Sequence, residues 1–280
     1  MSDSKVWFVT GASKGFGALL VEHLLDKGFR VAASSRRLAQ LNGFSEKYEG
    51  QFFPVEMQVN NQAHVEKTIE SIIAYFGRID VVVNNAGYGL FGTIEELEMT
   101  EIKSMFDVNV FGVMHVSKGI MKHFRTNKSG VLLNIASVAG SYTAPSLGLY
   151  SATKAAVIQF TEALKLEVEE FNIRVCAICP GGFRTDFLDD SSMQTAQNPL
   201  DEYTLVRNTI DRYSSLNKMQ GGDPNKFPEF VVKLVEKDVL PARIYVGSDA
   251  LRMMDRRIGE IQNGIDENRD LSGSTDFDVA

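Results

Sequence analysis

The sequence predicts an α/β fold with a doubly wound parallel sheet of about seven strands and helices on both faces. Short apolar runs alternate along the chain with longer stretches in which apolar residues recur every three or four positions. The short runs are almost continuously apolar, which is typical of strands buried on both faces of a sheet. Because strands separated by helices are joined by right-handed crossovers, this alternation indicates a parallel sheet.

The individual elements follow from the same patterns. Strands are predicted at 6–10, 30–34, 51–55, 81–84, 130–136, 174–179 and 243–246. Helices are predicted between them at 16–27, 37–48, 62–76, 100–126, 150–171 and 224–238. Gly28 ends the first helix, whereas Asp223 as N-cap and Pro224 at the first helical position begin the last.

The domain organisation is predicted to be simple. No linker rich in proline, glycine or serine divides the chain and no internal repeat is visible, so 1–265 is predicted to form one catalytic domain. Within it, the polar stretch 186–222 lies between two glycine pairs and is predicted to be a mobile cover over a site at the strand ends. The stretch 266–280 is polar and is predicted to be a loose or frayed tail.

Composition and charge exclude several classes of partner. The 280 residues are 44% hydrophobic and 23% charged, as in ordinary globular proteins. The net charge of −7 disfavours binding to nucleic acid or to an anionic membrane. The N-terminus lacks the basic-then-apolar layout of a signal peptide, and the apolar runs are far shorter than the ~20 residues that span a bilayer. We therefore expect a cytoplasmic protein, and no metal site is predicted.

The two cysteines, Cys176 and Cys179, form a Cys-x-x-Cys motif. A redox role would need this motif at the start of a helix, where the helix dipole lowers the pKa of a thiol. Here it lies inside an apolar run that predicts a buried strand, so inert core thiols are favoured.

A glycine-rich loop, Thr10-Gly-Ala-Ser-Lys-Gly-Phe-Gly17, separates the first predicted strand from the first helix. Glycines there let the backbone approach a diphosphate, and the helix N-terminus offers free N–H donors, so the loop predicts a Rossmann-type dinucleotide site. A tight turn without a ligand is the alternative. The residues predicted to bind the cofactor in this loop are Gly11, Ser13, Lys14, Gly15, Phe16 and Gly17.

The end of the second predicted strand favours NADP(H) over NAD(H). NAD-preferring sites carry an acidic residue here that binds the ribose 2′-hydroxyl. This chain has Arg36 and Arg37 instead, with Lys14 in the glycine loop. Guanidinium groups match phosphate oxygens well, so we expect these residues to bind the 2′-phosphate, with Arg36 as the main contact and Arg37 facing solvent or stacking on the adenine. The alternative is that both arginines are simply solvated.

A candidate catalytic pair follows the fifth predicted strand. Tyr150 and Lys154 are four residues apart and share one helix face, and Ser137 ends the preceding strand. Reduction of a carbonyl leaves an alkoxide that must receive a proton, and an ammonium group nearby lowers the pKa of a phenol. Lowering that pKa from about 10 to about 7 requires roughly 4 kcal/mol. Ser137 is expected to hold the substrate oxygen. The alternative is an amphipathic helix edge with the lysine in water.

Taken together, these motifs resemble those of the short-chain dehydrogenase/reductase family in its single-domain form, over most of the chain up to about residue 250. The sequence is somewhat more similar to the 17β-hydroxysteroid dehydrogenase branch than to others. The motifs that carry the resemblance are Thr10-Gly-x-x-x-Gly-x-Gly17, Asn84-Asn-Ala-Gly87, Asp107-Val-Asn109-Val, Ser137, Tyr150-x-x-x-Lys154, and Pro180-Gly181 followed by Thr185.

The resemblance implies roles for further residues. Asn109 is implied to hold a water molecule that links Lys154 to solvent, although a helix kink is the alternative. Tyr150 and Lys154 are implied to contact the cofactor, with Lys154 on the nicotinamide ribose. The remaining residues implied in cofactor binding are Asn85, Ala86 and Gly87 on the adenine-ribose side, and Pro180, Gly181, Phe183 and Thr185 near the nicotinamide.

The chain departs from the family pattern after the third predicted strand. Where the family often has an Asp-Val step near the adenine, this chain has Gln58 and Val59. An amide can still form a hydrogen bond with adenine, so we expect altered affinity rather than lost binding.

The substrate is expected to be a small, hydrophobic ketone, aldehyde or secondary alcohol. The residues expected around it are Tyr88, Leu90, Phe91, Val138, Tyr142, Leu147, Leu149, Phe183, Phe187 and Leu188. Two alternatives to a carbonyl reductase stay open: an epimerase, dehydratase or imine reductase on the same frame, and a non-enzymatic NADP-binding redox sensor. The resemblance also implies a homodimer or homotetramer, formed through the helices near 100–126 and 150–171.

Overall fold

The computed structural model describes residues 4–189 and 192–277. Within these residues the strands are β1 (Val6–Val9), β2 (Arg30–Ser35), β3 (Phe52–Glu56), β4 (Val81–Asn84), β5 (Gly89–Phe91), β6 (Gly130–Ile135), β7 (Ile173–Pro180), β8 (Met193–Thr195) and β9 (Arg243–Val246). The helices are α1 (Gly15–Asp26), α2 (Asn42–Lys47), α3 (Gln62–Phe76), α4 (Met99–Phe106), α5 (Gly112–Asn127), α6 (Gly148–Val168), α7 (Thr204–Ser215), α8 (Phe227–Val235), α9 (Ser248–Glu267) and α10 (Arg269–Gly273).

Seven strands form one parallel sheet in the order β3-β2-β1-β4-β6-β7-β9. This confirms the predicted Rossmann-type fold, and each of the seven predicted strands is present with ends shifted by no more than one residue. The chain order reverses between β1 and β4. In such a sheet, ligands bind in the crevice beyond the carboxyl ends of the strands at this reversal point.

Side chains of the central strands alternate between two cores, one on each face of the sheet. Trp7 and Val9 of β1 pack in one core with α1 and α8, whereas Phe8 packs in the other with α3, α5 and the end of α6. All three residues are almost completely buried. Burial on both faces is the reason that the strands are almost continuously apolar.

Several elements differ from the sequence prediction. The helix predicted at 100–126 is divided into α4 and α5 by a π-helical turn, Asp107–Phe111. The segment predicted as helix 37–48 is a 3₁₀ turn, Leu38–Leu41, followed by the short helix α2. The tail predicted as loose at 266–280 is helical as far as Gly273, because α9 extends to Glu267 and α10 follows it. Neither α7 nor α9 was predicted.

The segment predicted as a cover contains regular structure in its described part. β8 pairs in parallel with β5 in a separate two-stranded sheet, and α7 follows β8. No helix in the two described ranges is long and apolar enough to cross a membrane.

The cysteines lie in β7, where both side chains are buried as free thiols. Burial raises the pKa of Cys176 and of Cys179 to about 12. The predicted burial of both cysteines is confirmed, and a thiol that stays protonated is a poor nucleophile.

Candidate active site

The glycine loop between β1 and α1 lies very close to the loop after β4. At two positions of the glycine loop, Gly11 and Gly17, this leaves no space for a side chain. A Cβ atom on Gly11, whose φ is +65°, would lie 2.7 Å from Cα of Ala86. A Cβ atom on Gly17 would lie 2.6 Å from Nδ2 of Asn85. Glycine is required at both places. The helix α1 begins at Gly15, so the N–H groups of its first turn lie at the carboxyl ends of the strands.

Side-chain hydrogen bonds fasten these two loops together. The Thr10 hydroxyl accepts hydrogen bonds from the backbone N–H groups of Asn85 at 3.0 Å and Ala86 at 3.1 Å. In return, Nδ2 of Asn85 donates to the carbonyl oxygens of Thr10 and Gly11, each at 3.0 Å. The Asn85 amide group was predicted to face the cofactor, but both of its N–H donors hold the glycine loop in shape.

The ends of β1, β2 and β3 are held side by side. The N–H of Ala12 donates to the carbonyl oxygen of Ser34 at 2.9 Å, and the N–H of Met57 donates to that of Ser35 at 2.9 Å. These bonds place Arg36, which follows β2, between the glycine loop and the end of β3. Arg36 is exposed there and so is the adjacent Arg37.

Gln58 and Val59, which stand where the family often has an Asp-Val step, also lie at this edge. Gln58 is exposed just after β3, as expected of a residue that contacts adenine. Val59 packs on α5, where a Cβ atom on Gly112 would lie 2.8 Å from Cγ2 of Val59. The carbonyl oxygen of Val59 is also 3.0 Å from Nδ1 of His115. Val59 therefore anchors this loop to α5.

The predicted catalytic residues converge at the carboxyl end of β6. The side chains of Tyr150 and Lys154 are buried on α6, and each residue is only 6% exposed. The Lys154 Nζ donates to the carbonyl oxygen of Ile135 at 2.9 Å and lies 5.9 Å from the centre of the Tyr150 ring. The Ser137 hydroxyl accepts a hydrogen bond from the N–H of Ala139 at 3.1 Å, and it lies close enough to Tyr150 to act on the pKa of the phenol. A Cβ atom on Gly87 would lie 3.5 Å from the Lys154 Nζ, so the loop after β4 borders the Tyr150–Lys154 pair as well as the glycine loop.

The electrostatics of the pair differ from the sequence prediction. Burial raises the pKa of Tyr150 above its usual value, although the neighbouring Ser137 side chain partly opposes this shift. Burial also lowers the pKa of Lys154 to about 8. The prediction that Lys154 would bring the Tyr150 pKa towards 7 is wrong for the protein alone, because removal of the phenol from water raises its pKa.

Asn109 lies in the π-helical turn and is completely buried. Its Oδ1 accepts from the N–H of Tyr88 at 3.0 Å, and its Nδ2 donates to the Tyr88 carbonyl oxygen at 2.8 Å and to the Thr153 hydroxyl at 3.2 Å. The wider π turn projects this amide towards the loop after β4, in keeping with the frequent occurrence of such turns at functional sites. Asn109 therefore links that loop to α6, beside Lys154.

A buried polar chain fixes α6 on the sheet. Nδ2 of Asn84 in β4 donates to Oδ1 of Asn134 in β6 at 2.9 Å. Nδ2 of Asn134 in turn donates to the Thr161 hydroxyl of α6 at 2.9 Å. Because buried polar groups require partners, this chain specifies one position of α6 relative to β4 and β6.

The loop after β7 lies across the glycine loop. A Cβ atom on Gly15 would be 3.8 Å from Cβ of Thr185, although the two residues are far apart in sequence. Thr185 caps a 3₁₀ turn by accepting a hydrogen bond from the N–H of Phe187 at 3.3 Å. The structure thus brings the predicted Pro180–Thr185 segment to the same crevice as the glycine loop and the Tyr150–Lys154 pair.

Comparison with known proteins gives the family of this chain. Residues 5–196 match the family model for short chain dehydrogenases. The chain belongs to the short-chain dehydrogenase/reductase family. It is 34% identical over 277 residues to the oxidoreductase BOA17 of Botryotinia fuckeliana, which covers 96% of this chain and 98% of that protein. It is also 32% identical over 247 residues to the 3-ketodihydrosphingosine reductase of Bacteroides thetaiotaomicron, with 87% and 88% covered.

Two solved structures have the same fold as this chain. A short-chain dehydrogenase from Streptomyces avermitilis superimposes with a TM-score of 0.90 at 29% identity, covering 98% of this chain and 100% of that one. ElxO, solved with NADP bound, superimposes with a TM-score of 0.75 at 25% identity, covering 89% and 99%. The likeness to the 17β-hydroxysteroid dehydrogenase branch stays a prediction.

In this short-chain dehydrogenase, Asp249 lies beside the loop after β7, and the sequence did not indicate this position. It lies in the first turn of α9, and its Oδ2 accepts a hydrogen bond from the N–H of Gly182 at 2.6 Å. A Cβ atom on Gly181 would collide with the same carboxylate. Asp249 therefore shapes the turn after Pro180. Its position in a helix that was not predicted hid it from the sequence analysis.

An apolar cluster covers the Tyr150 ring in this short-chain dehydrogenase. Phe91 stacks at a centroid distance of 6.4 Å from Tyr150, and Phe187 lies at 5.6 Å. Tyr213 of α7 packs on Phe91 at 5.8 Å. Most residues predicted to surround the substrate belong to this cluster, namely Tyr88, Leu90, Phe91, Leu147, Leu149, Phe187 and Leu188.

Phe183 differs from the prediction for the substrate pocket. Its ring lies 5.0 Å from Phe16 and 6.2 Å from Phe227, outside the cluster over Tyr150. Phe16, predicted to bind the cofactor, stacks on Phe227 at 3.9 Å. Both rings therefore pack beneath the glycine loop, where they support it from the core side.

A buried carboxylate attaches the cover to the rest of the short-chain dehydrogenase. The Glu96 side chain has no exposed surface and forms an ion pair with Arg207 of α7. It also accepts hydrogen bonds from the N–H groups of Leu200 at 2.8 Å and Thr93 at 2.7 Å. Burial acts to raise the pKa of Glu96, but these hydrogen bonds outweigh it, so the pKa lies below its usual value. No sequence motif marks this residue.

Proposed function

We propose that this protein is an NADPH-dependent reductase of ketones and aldehydes, acting in reverse as a secondary-alcohol dehydrogenase. The observation that carries the proposal is the convergence of buried Tyr150 and Lys154 with Ser137 at the carboxyl end of β6. This is the point in an open parallel sheet where ligands bind. An acid, a cation and a hydroxyl in one partly dry crevice suit proton transfer to a substrate oxygen.

The residues present fit a nicotinamide dinucleotide. Gly11 and Gly17 keep side chains out of a narrow cradle at the N-terminus of α1, which is the arrangement that accepts a diphosphate. Arg36 and Arg37 are exposed at the neighbouring strand end, where their guanidinium groups suit a 2′-phosphate. The structure of ElxO with NADP bound supports this choice of cofactor. NADPH, when bound, supplies the hydride.

The chain's own residues supply the proton and hold the substrate. Because burial raises the pKa of Tyr150, its phenol stays protonated near neutral pH and can donate to an alkoxide oxygen. The protonated Lys154 then stabilises the phenolate that remains. In this proposal Ser137 donates a hydrogen bond to the same substrate oxygen. We assign Asn109 as a positioning residue, since its amide holds both Tyr88 and Thr153.

The apolar cluster over Tyr150 favours a ketone with an apolar substituent. Phe91, Phe187 and Tyr213 present aromatic surface above the Tyr150 ring. A relative that is 32% identical is named a 3-ketodihydrosphingosine reductase, which suggests that long-chain ketones belong in the substrate panel. We therefore propose hydrophobic ketones as the substrate class, ahead of small polar ones.

The decisive experiment compares the wild type with Tyr150→Phe in an NADPH absorbance assay against short and long-chain ketones and aldehydes. Removing the hydroxyl should reduce kcat by about 10³-fold, because general acid catalysis contributes this order of magnitude. NADPH affinity, measured by fluorescence titration, should stay nearly constant. Tyr75→Phe is the matched control, because Tyr75 lies half-exposed on α3.

Equal turnover by the wild type and Tyr150→Phe would reject the catalytic assignment. NADPH binding without turnover of any carbonyl compound would instead favour the redox-sensor alternative.

A further inference from the structure

The C-terminal helix α9 has almost no contact with the rest of the protein. It contains 20 residues, of which Ala250 in the first turn is the one that is buried. At about 1.5 Å per residue, such a helix is about 30 Å long. Every described residue after Arg257 is exposed. The second half of α9 therefore projects into solvent, together with α10.

An apolar stripe runs along this projecting helix. Leu251, Met254, Ile258, Ile261 and Ile265 are spaced alternately three and four residues apart. This is the spacing of the two apolar positions in a heptad repeat, which brings the side chains onto one seam of a helix. The exposed fractions of Ile258, Ile261 and Ile265 are 60%, 47% and 49%, so the seam has no cover within the described chain.

A projecting helix of this length is not stable by itself. Isolated helices of about 12–15 residues are marginal in water, and most helical stability in proteins comes from packing of an apolar face. The match to the Streptomyces avermitilis structure covers 98% of this chain, so at least part of α9 has a counterpart in a solved relative. The seam therefore requires a partner.

The charges on α9 and α10 indicate which partner fits. Residues 248–258 contain three arginines and two aspartates, whereas residues 259–273 contain one arginine and four acidic residues. One half of the segment is thus slightly basic and the other strongly acidic. Two copies laid antiparallel place the basic half of each on the acidic half of the other, whereas parallel pairing places like charges together.

Ion pairs within α9 and α10 do not remove this difference in charge between the two halves of the segment. Glu260 accepts from Arg256 at 2.8 Å and lies 3.5 Å from Arg257, and Asp266 pairs with Arg269 at 2.6 Å. All of these side chains are at least 40% exposed, and exposed pairs of this kind contribute little. These ion pairs within one helix can therefore be replaced by ion pairs between the helices of two subunits.

We infer that α9 is a self-association surface through which two copies of this chain pair antiparallel. Under two-fold symmetry centred at Ile258, that residue meets Ile258 of the partner subunit, and Leu251 meets Ile265 of the partner subunit. The shared seam from Leu251 to Ile265 is about 21 Å long. So short a contact gives a weak dimer, with a dissociation constant in about the micromolar range. This inference is independent of the proposed catalytic function.

Analytical ultracentrifugation over a concentration series tests the inference on the full-length protein. The wild type should change from the 31.0 kDa chain to a particle of twice that mass as its concentration rises. Ile258→Asp should raise the dissociation constant at least ten-fold, because it places two like charges at the centre of the seam. Asn263→Asp is the control, since it adds the same charge to α9 away from the seam and should leave the mass distribution unchanged.

Two further measurements separate the inference from misfolding and from other interfaces. Ile258 is exposed on α9, outside the catalytic crevice, so Ile258→Asp should retain the wild-type NADPH oxidation rate. For the direction of pairing, chains with Leu251→Cys are mixed with chains with Ile265→Cys and oxidised. A mixed disulfide between the two variants supports antiparallel pairing, and the native Cys176 and Cys179 do not compete because they are buried.

Three outcomes would overturn the inference. The first is a wild type that stays monomeric at concentrations well above micromolar. The second is a dimer that Ile258→Asp does not weaken, which would move the interface to another surface such as α5 and α6. The third is a disulfide formed mainly between two Leu251→Cys chains, which would indicate parallel pairing.

Discussion

The cofactor side and the substrate side of the crevice are built in different ways. On the cofactor side, the glycine loop and the loop after β4 are joined by hydrogen bonds of Thr10 and Asn85, and no space for side chains is left at Gly11 or Gly17. On the substrate side, β8 pairs with β5, and α7 is attached by apolar packing and by one buried carboxylate, that of Glu96.

This difference indicates which side of the crevice can tolerate amino-acid substitutions. The cofactor side depends on close backbone approach, so most substitutions there remove binding. The substrate side depends on apolar contacts and one charged anchor, so its specificity can change while the cofactor frame is conserved. Four experiments test this contrast, from the largest expected effect to the smallest.

Gly17→Ala should have the largest effect. A methyl group would lie 2.6 Å from Nδ2 of Asn85, so the two loops must separate. We expect NADPH affinity to fall by more than ~100-fold and the free energy of unfolding to fall by about 1–3 kcal/mol. Fluorescence titration and thermal unfolding measure the two effects. Gly43→Ala is the control, because its new Cβ atom would contact nothing within 4 Å. NADPH affinity in Gly17→Ala equal to the wild type would show that the close approach is not required.

Arg36→Ala should weaken NADPH binding by roughly 10–100-fold, the range expected for lost hydrogen bonds to a charged group. NADH binding should be nearly unchanged, because NADH has no 2′-phosphate. Arg37→Ala, at the adjacent exposed position, should have a smaller effect. Isothermal titration calorimetry with both cofactors gives the ratio. Parallel losses for NADPH and NADH would remove Arg36 from the 2′-phosphate site.

Glu96→Gln should affect the substrate side alone. It leaves Arg207 without its carboxylate partner and weakens the attachment of α7. We expect KM for an apolar ketone to rise by about ten-fold with little change in NADPH affinity. The control is Glu46→Gln, since Glu46 is exposed on α2, away from α7. If NADPH affinity fell equally, the two sides would be coupled and the contrast would fail.

The pH dependence of ketone reduction should give the smallest effect. Lys154 has a pKa of about 8 and is charged below that value. Because its charge stabilises the Tyr150 phenolate, kcat/KM should fall as pH rises through 8, by about four-fold between pH 7 and pH 8.5. Lys154→Arg keeps its charge and should show a lower but flatter profile. A wild-type rate that increases over this range would contradict the assignment.

The strands and the glycine loop of the proposed cofactor side could be predicted from the sequence because their signals are local. The glycine loop lies within eight residues, and each buried strand is a continuous apolar run, so both can be identified without knowing what they contact. Tyr150 and Lys154 also share a helix turn. Their convergence with Ser137 in the structure agrees with the prediction, although their catalytic role stays a prediction.

The substrate side was poorly predicted because its contacts are long-range. Glu96 meets Leu200 and Arg207 across more than a hundred residues, and Asp249 reaches back to Gly182. A lone acidic residue gives no signal of such a partner. The pKa of Tyr150 was predicted in the wrong direction for a related reason, since the depth of burial cannot be read from a four-residue spacing. The heptad spacing in α9 was visible in the sequence and was overlooked.

The chain of buried amides from Asn84 through Asn134 to Thr161 also has a consequence for biosynthesis. A parallel sheet forms through contacts between distant segments, and chains are made from the N-terminus. The ribosome completes Ser137, Tyr150 and Lys154 before it makes β7, the strand on which α6 packs most extensively. A chain truncated after α6 would therefore carry every proposed catalytic side chain and the polar chain that positions α6, yet lack the strand on which α6 packs most extensively.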